Sequence, residues 1–459
     1  MFRRLIGISI VSVVVAGCAT SSNFFKLRQH EDVVLSNGLK VILVPDASLP
    51  YFSMNLLVKA GAVNDPEAKD GLASLVANLL EKGTEKRSAT ELATALEQIG
   101  ASFSASADHD YTMVSASGLS YHEETISKLF AEVVVHSRFS DQEISRLRRQ
   151  RLSELKKLVD EPSSFASVAF QNYLFDGHPY AQSVAGRVKT VSKIRRKDVI
   201  RFYLKHYRPN NSILAVSGNF PKDMKQRLEV LFKDWKPRNI EPMAFPPQKK
   251  IEGLNIRVVD NHDLKQTQIR FGHYGIKRTN PDYLTLRVAN TILGGAFASR
   301  LVEEVRVKRG LTYSIGSQFE AQKDPGAFRV STFTRHDKIG ETVSETLRVL
   351  SEMREQGVTK AEVEEAIGLM KGRFPRAIET SEGLAQNLMV LEYYGLDDSY
   401  LKDFLSDVDS ISVADVNRVV RKYLDPSNMR VLVYSNKAKA LSQLKGIGKT
   451  DVVNFKNYQ

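Results

Sequence analysis

Cysteine is nearly absent from this sequence: one residue, Cys18, occurs among 459. A single cysteine excludes an internal disulfide framework, a multi-cysteine zinc finger and an iron–sulfur centre. Histidine is scarce as well, and no two of the nine histidines stand three or four positions apart, the spacing that pairs metal ligands on one helix face. The one place where a histidine lies between carboxylates, Asp108-His109-Asp110, is predicted to be a solvated turn.

The remaining composition is that of a folded globular protein, with 42% apolar and 26% charged residues. Basic residues outnumber acidic ones by 65 to 53, which gives a net charge of +12. Many of them concentrate on two helix-like stretches, residues 146–151 and 195–205, and only the second contains aromatic residues, the adjacent pair Phe202 and Tyr203. This pattern predicts a solvated basic surface, and nucleic acid is not expected as a partner.

The N-terminus has the three parts of an export signal: two arginines, an apolar run over residues 5–15 and small residues before a cleavage point. The tetrad Val15-Ala16-Gly17-Cys18 resembles the bacterial lipobox, in which the cysteine is acylated. We therefore expect residues 1–17 to be a signal peptide and residues 18–31 a lipidated linker. The protein is then periplasmic and lipid-anchored, at the outer membrane of a Gram-negative bacterium, because no Asp follows Cys18. An ordinary signal peptide that happens to contain a cysteine is the alternative.

The two halves of the chain repeat each other. Seven residues between positions 194 and 211 recur between positions 411 and 428, all at one constant offset. Both copies predict an amphipathic helix, a turn with proline and asparagine, and a β-rich strand. Residues 37–44 and 252–259 open the two halves with similar apolar runs. Since chance would produce two or three such matches but hardly seven at one offset, the chain is predicted to contain two homologous domains.

The predicted boundaries follow from this repeat and from a proline-rich stretch between the halves. We expect an N-terminal domain over residues 32–235, a linker over 236–251, a C-terminal domain over 252–440 and a tail over 441–459. Strands mixed with long helices favour an α+β class, with two homologous domains that each have a mainly antiparallel sheet with helices packed on one face.

Residues 71–84, GLASLVANLLEKGT, resemble the signature segment of the insulinase/pitrilysin/processing-peptidase family of zinc endopeptidases. That segment reads roughly G-x-A-H-F-L-E-H-M-x-F-K-G-T and contains an inverted zinc site, H-x-x-E-H. Its two histidines bind zinc from one helix face, and its glutamate removes a proton from the metal-bound water. In this chain the three positions carry Ser74, Ala77 and Asn78. Serine and asparagine are poor zinc ligands, and alanine cannot accept a proton.

The resemblance places a third zinc ligand, a glutamate, at a characteristic distance after the second histidine, and the same count from Asn78 reaches Glu154. One carboxylate does not hold zinc, so Glu154 is predicted to be a remnant and this chain to contain no cofactor. If Glu154 is in register, Ser74→His, Ala77→Glu and Asn78→His together are expected to recover zinc binding.

Residues 293–314 are similar to the C-terminal motif of the same family, L-G-G-x-x-x-S-R-L-x-x-E-V-R-E-x-R-G-L-x-Y-S. In the family an arginine and a tyrosine spaced R-x6-Y hold substrate and help to stabilise the oxyanion, and Arg306 and Tyr313 have this spacing. A guanidinium and a phenol are suitable donors to developing negative charge. The alternative is that Arg306 forms a surface ion pair and Tyr313 is a core aromatic residue.

The resemblance implies three functional hypotheses. The leading one is the zinc-less subunit of a periplasmic heterodimeric metallopeptidase, active only with a homologous H-x-x-E-H subunit that supplies zinc. Its partners are that subunit, a peptide substrate and the membrane through the lipid anchor. A rival is a stand-alone peptide-binding or scaffold lipoprotein, in which a peptide adds as a strand to the sheet edge near residues 101–107. An autonomous zinc metalloendopeptidase is the third.

Overall fold

The computed structural model describes residues 27–458, so Cys18 and the predicted signal peptide lie outside the described residues. Twelve strands in this part of the chain form two six-stranded sheets. The strands of the first sheet are β1 Glu31–Val34, β2 Lys40–Pro45, β3 Tyr51–Val58, β4 Ser102–Ala107, β5 Thr112–Leu119 and β6 Ser212–Gly218. Those of the second are β7 Asn255–Asp260, β8 Thr267–Tyr274, β9 Ile315–Glu320, β10 Ala327–Thr334, β11 Arg430–Ser435 and β12 Lys449–Asn454.

Helices pack around both sheets. The first half contains α1 Leu72–Leu79, α2 Ala89–Glu97, α3 Glu123–Val135, α4 Asp141–Lys157, α5 Pro162–Leu174, α6 Val188–Val191, α7 Arg196–His206 and α8 Met224–Phe232. The second half contains α9 Tyr283–Asn290, α10 Ile339–Gln356, α11 Lys360–Ile378, α12 Ser381–Tyr394, α13 Ser399–Lys402, α14 Phe404–Asp409, α15 Val413–Tyr423 and α16 Lys437–Leu444. Two π-helical turns, Thr291–Gly295 and Val302–Lys308, follow α9.

The repeat is visible in the topology. The strand orders are β1-β2-β6-β3-β5-β4 and β12-β7-β11-β8-β10-β9, and the central pairs β2·β6 and β7·β11 are parallel in both sheets. Helices α7 and α15 span equivalent residues at the offset that the sequence repeat predicts. The predicted α+β class with two homologous domains is confirmed.

The outermost strand differs between the sheets. In the first sheet β1 pairs antiparallel with β2, whereas in the second β12 runs parallel to β7. Residues 441–459, predicted to be a tail, therefore contribute a strand to the second sheet, and Arg257 fixes it through an ion pair with Asp451 at 2.6 Å. Residues 236–251, the predicted linker, contain no helix or strand.

One helix of each domain packs on the sheet of the other domain. Helix α5 of the first half packs on β8 and β11, and α12 of the second half packs on β2 and β6. Phe170 of α5 is fully buried against Gly272 of β8, where an added Cβ would lie 2.8 Å from the phenylalanine ring. The ring centroids of Phe165 and Tyr434 on β11 are 4.5 Å apart. The sheets are therefore covered by their own helices on one face and by an exchanged helix on the other.

A buried arginine fixes the first exchanged helix. The Arg270 guanidinium on β8 donates hydrogen bonds to the carbonyl and hydroxyl of Ser163 and to the hydroxyl of Ser167, at 2.8, 2.9 and 3.2 Å. Burial lowers the pKa of Arg270 to about 10, so the group stays charged at neutral pH. The first turn of α5 is thus bound to the second sheet by charge-assisted hydrogen bonds.

Replacing Phe170 by alanine is expected to destabilise both domains together. Truncation of a fully buried phenylalanine costs about 3–5 kcal/mol, and Phe170 belongs to one domain but fills the core of the other. Thermal unfolding followed by calorimetry and circular dichroism should show one transition, shifted down. Tyr121→Ala, which removes an exposed ring, is the control. Separate loss of one domain would contradict the shared core.

Candidate functional site

Helix α1 carries the three degenerate zinc-site positions and is fixed by its N-terminus. The buried carboxyl of Asp65 accepts hydrogen bonds from the backbone N–H groups of Gly71, Leu72 and Ala73 at 2.7, 3.2 and 2.7 Å. Burial raises the pKa of Asp65 to about 8, although the three N–H donors act to lower it. The capped helix packs against β4 and α4, and its positions 74 and 77 are buried while position 78 is half-buried.

The guanidinium of Arg151 lies against every position that would bind zinc in a catalytic relative. Its Nη1 donates to Ser74 Oγ at 3.2 Å, its Nη2 donates to Asn78 Oδ1 at 2.7 Å, and its Nε is 3.3 Å from a carboxylate oxygen of Glu154. Only 15% of the Arg151 side chain is exposed, compared with 53% for Glu154. A cationic side chain of α4 therefore joins α1 and α4 at the three predicted zinc-ligand positions.

These residues do not fit zinc. A hydroxyl and an amide replace the two imidazoles, and the remaining carboxylate already pairs with Arg151. Residues 27–458 contain no group of three or more His, Cys, Asp and Glu side chains able to hold a metal ion. The structure places Glu154 against the same guanidinium as Ser74 and Asn78, and its role as a third-ligand remnant stays a prediction.

Asn78 also covers part of the free edge of the first sheet. Across the β4–β5 turn the N–H of Asp108 donates a hydrogen bond to the carbonyl of Tyr111. In an antiparallel ladder, hydrogen-bonded and non-hydrogen-bonded residue pairs alternate, so Ala105 and Val114 form a pair without hydrogen bonds between them. The Ala105 carbonyl consequently points to the free edge of β4, where Asn78 Nδ2 donates to it at 3.0 Å.

The second domain has the same contact. Asn290 Nδ2 donates to the carbonyl of Ser317 on the edge strand β9 at 3.1 Å. Asn290 follows Asn78 by the same number of residues as Ser317 follows Ala105. Asn78, at a predicted zinc-ligand position, thus makes in the first domain the contact that Asn290 makes in the second. Sequence reasoning missed Arg151 and this contact, because the two asparagines are related by a different offset from the seven repeated residues.

The Arg/Tyr motif of the second domain lies on a π-helical turn and the loop after it. Arg306 belongs to the turn, and Tyr313 follows Leu311, which is buried and bonded to the carbonyl of Val305 at 3.1 Å. Thr312 Oγ1 donates to the Ser314 carbonyl at 3.0 Å. These contacts fix the loop on both sides of the tyrosine.

The two side chains of the motif have no polar partner among the described residues. Tyr313 is 82% exposed, and neither its hydroxyl nor the Arg306 guanidinium forms a hydrogen bond or ion pair with any residue of the described chain. Arg306 lies 5.2 Å above the ring of Phe297, which is itself 77% exposed. The alternative of a surface ion pair and a core tyrosine is therefore wrong.

A cleft of about 600 Å³ separates the two domains, between the β4–β5 turn, α5 and β9. The prediction that Asp108-His109-Asp110 is a solvated turn is wrong for Asp110. This carboxyl is buried and accepts hydrogen bonds from Tyr180 Oη at 2.8 Å and from the N–H of Lys323 at 3.0 Å. Because the turn lies at the domain interface, its acidic group joins the two halves.

The fold and the site define a two-domain peptidase-like chain whose first domain lacks zinc ligands. Residues 40–187 match the sequence profile of insulinase (peptidase family M16), and residues 193–370 match that of the peptidase M16 inactive domain. The chain belongs to the M16 peptidase family.

Relatives and solved structures agree with this assignment. A protein of Rickettsia bellii, described as an uncharacterized zinc protease, is 27% identical over 411 residues, which cover 88% of this chain and 97% of the relative. A peptidase M16 inactive domain from Pseudomonas fluorescens is 27% identical, with a TM-score of 0.83 over 89% of this chain and 98% of that structure. A protease from Helicobacter pylori has a TM-score of 0.81 over 89% of this chain and its whole length, and at 21% identity it supports the fold alone.

Restoring zinc binding requires the removal of Arg151. The variant Ser74→His, Ala77→Glu, Asn78→His leaves a guanidinium between the new ligands, and its charge opposes a dication at this distance. We expect little zinc after dialysis in this triple variant and close to stoichiometric zinc when Arg151→Ala is added. Zinc is measured by atomic absorption.

Glu154→Gln in the Arg151→Ala background is the control for the third ligand. Its zinc content should fall, since two imidazoles alone make an incomplete site. Equal zinc in the triple and quadruple variants would show that Arg151 does not occupy the metal position.

Proposed function

We propose that this chain is the non-catalytic, zinc-less subunit of a heterodimeric metallopeptidase and supplies Arg306 and Tyr313 to the shared site. The observation that carries the proposal is the contrast between the two domains. In the first, Arg151 contacts the residues at the predicted zinc-ligand positions, while in the second Tyr313 is exposed and the half-buried Arg306 guanidinium is unpaired within the described chain. No hydrogen bond or ion pair within residues 27–458 accounts for either donor.

The surroundings of the motif favour a partner. Phe297, Val307 and Tyr313 are large apolar side chains, all more than half exposed, and they stand close together in the sequence. Exposed apolar side chains that concentrate in this way mark interaction surfaces. The partner that suits them is a homologous subunit with an intact H-x-x-E-H helix, because it brings the metal and the general base that this chain lacks.

The chemistry assigned to this chain is positioning and charge stabilisation. Arg306 donates to a carbonyl oxygen of the bound peptide, and the Tyr313 hydroxyl donates to the oxyanion that forms at the cleaved bond. Donors that are fixed before the reaction lose little free energy to reorganisation. The hydrogen bonds between Thr312 and Ser314 fix the backbone on both sides of Tyr313, and we expect the bound peptide to order the phenol itself.

The compartment is part of the proposal. We expect export to the periplasm and acylation of Cys18, which holds the protein at the membrane through its lipid chains. None of the described helices is long and apolar enough to cross a bilayer.

The subunit is tested by co-purification from bacterial membranes and by assay of the reconstituted pair. Alone, the chain should contain no stoichiometric zinc and cleave no peptide. In the complex, Arg306→Ala should lower kcat by about 100-fold, as for loss of one oxyanion donor, and Tyr313→Phe should lower it by about 10-fold or more.

Arg335→Ala and Tyr121→Phe remove comparable exposed groups away from the motif and should leave kcat unchanged. Chelator-sensitive cleavage by the chain alone would instead favour the autonomous peptidase. Full activity of both motif variants in the complex would refute the assigned roles.

The rival hypothesis, a stand-alone peptide-binding lipoprotein, requires a free edge on β4. Because Asn78 occupies the Ala105 carbonyl, an added strand would lose one of its main-chain hydrogen bonds there. Asn78→Ala should therefore raise the affinity of this edge for an extended peptide, measured by fluorescence anisotropy. Tight binding by the unaltered chain, unaffected by Arg306→Ala, would favour the rival.

A further inference from the structure

Helix α7 presents an exposed basic surface that the proposed function does not use. We call it the α7 surface; it consists of Arg196, Lys197, Ile200, Arg201, Leu204, Lys205 and Arg238. Five of these seven residues are cationic and none is acidic. Leu204 lies in the middle of the surface and is 46% exposed.

Most of this charge has no counter-ion. Within residues 27–458 the side chains of Lys197, Arg201, Lys205 and Arg238 form no ion pair, and Arg196 only approaches Asp141 at 4.0 Å. Several like charges held together without partners repel one another, so they reduce the stability of the fold. A folding role therefore does not account for them.

The equivalent helix in the second domain provides an internal comparison. On α15, Arg418 and Lys422 are the repeat equivalents of Arg201 and Lys205, and both pair with Asp282, at 2.8 and 3.0 Å.

In the first domain the residue equivalent to Asp282 is Asp70, because these two are separated by the same number of residues as Asn78 and Asn290. Asp70 pairs with Arg187 at 2.6 Å and so is not available to α7. The cations at these helix positions are therefore paired with a carboxylate in the second domain and lack one in the first.

We propose that the α7 surface binds the anionic headgroups of a phospholipid bilayer. Clustered Lys and Arg side chains attract such a surface, and an exposed leucine among them can enter the boundary between headgroups and acyl chains. The surface has no aromatic side chain on which a nucleobase could stack.

Leu27 packs on the face of the first sheet opposite to α7, and the length of chain before it permits this occupant. Cys18 lies nine residues before Leu27, the first described residue, and nine residues span at most about 32 Å. Acylation at Cys18 would therefore keep the folded part close to a bilayer, where weak headgroup contacts gain from a high effective concentration. The headgroup proposal itself does not depend on Arg306, Tyr313 or a partner subunit.

The test is vesicle co-sedimentation of the full chain carrying Cys18→Ser, which cannot be acylated. Vesicles of phosphatidylcholine with about one-third phosphatidylglycerol are compared with pure phosphatidylcholine, at low and high salt. The N-terminal apolar segment is the same in all variants, so binding to neutral vesicles reports its contribution. Each neutralised cation should weaken anionic binding by about fivefold, and Lys197→Gln/Arg201→Gln/Lys205→Gln by on the order of 100-fold.

The matched control is Arg421→Gln/Lys439→Gln/Lys445→Gln, which removes the same charge from exposed positions of the second domain. It should retain most anionic binding, and Leu204→Gln should weaken binding without any change in net charge. Equal losses in the two triple variants would overturn the proposal, because net charge alone would then explain attraction. Binding to poly-glutamate that exceeds binding to anionic vesicles would also overturn it, in favour of an acidic protein partner.

Discussion

Neither sheet can bury both of its faces without a helix from the other domain, and the rest of the structure depends on this exchange. Strands β6 and β8 are buried along nearly their whole length because α12 and α5 cover the faces left open by their own domains. Buried polar contacts, such as those of Arg270 with Ser163, then fix the position of each exchanged helix. The two domains therefore hold one relative position, and so do the cleft and the motif beside it.

Within this rigid frame a guanidinium connects two helices of the first domain at the predicted zinc-ligand positions. A metal ion that takes ligands from two helices contributes both chemistry and a structural connection. Arg151 makes such a connection, because it reaches Ser74 and Asn78 on α1 from α4, but a guanidinium supplies neither an activated water nor an open coordination position. These residues can therefore hold the two helices together without taking part in metal chemistry.

The sequence was sufficient to predict most of the architecture but only part of the site. The internal repeat and two long motifs were sufficient to predict two α+β domains, since repeats and hydrophobic periodicity are encoded locally. The exchanged helices, the strand β12 and the buried Asp110 depend on packing between distant segments, which no local pattern reports. Arg151 was hidden for the same reason. Its partner Asn78 is far away in the sequence, and a basic residue on a basic helix gives no signal.

The two domains make the same edge contact but differ in their exposed side chains. In the first domain Asn78 donates to the edge strand β4 as Asn290 of α9 donates to β9 in the second, so one carbonyl of each edge is already paired. In the second domain the π-helical turn and its loop leave the Tyr313 ring 82% exposed and the half-buried Arg306 guanidinium without a hydrogen bond or ion pair in the described residues. Buried apolar area is what stabilises a fold, so the exposed ring contributes little to the stability of the domain. The hydrogen bonds of Thr312 and Ser314 nevertheless fix the backbone on both sides of Tyr313, which distinguishes this loop from a segment that is merely unpacked.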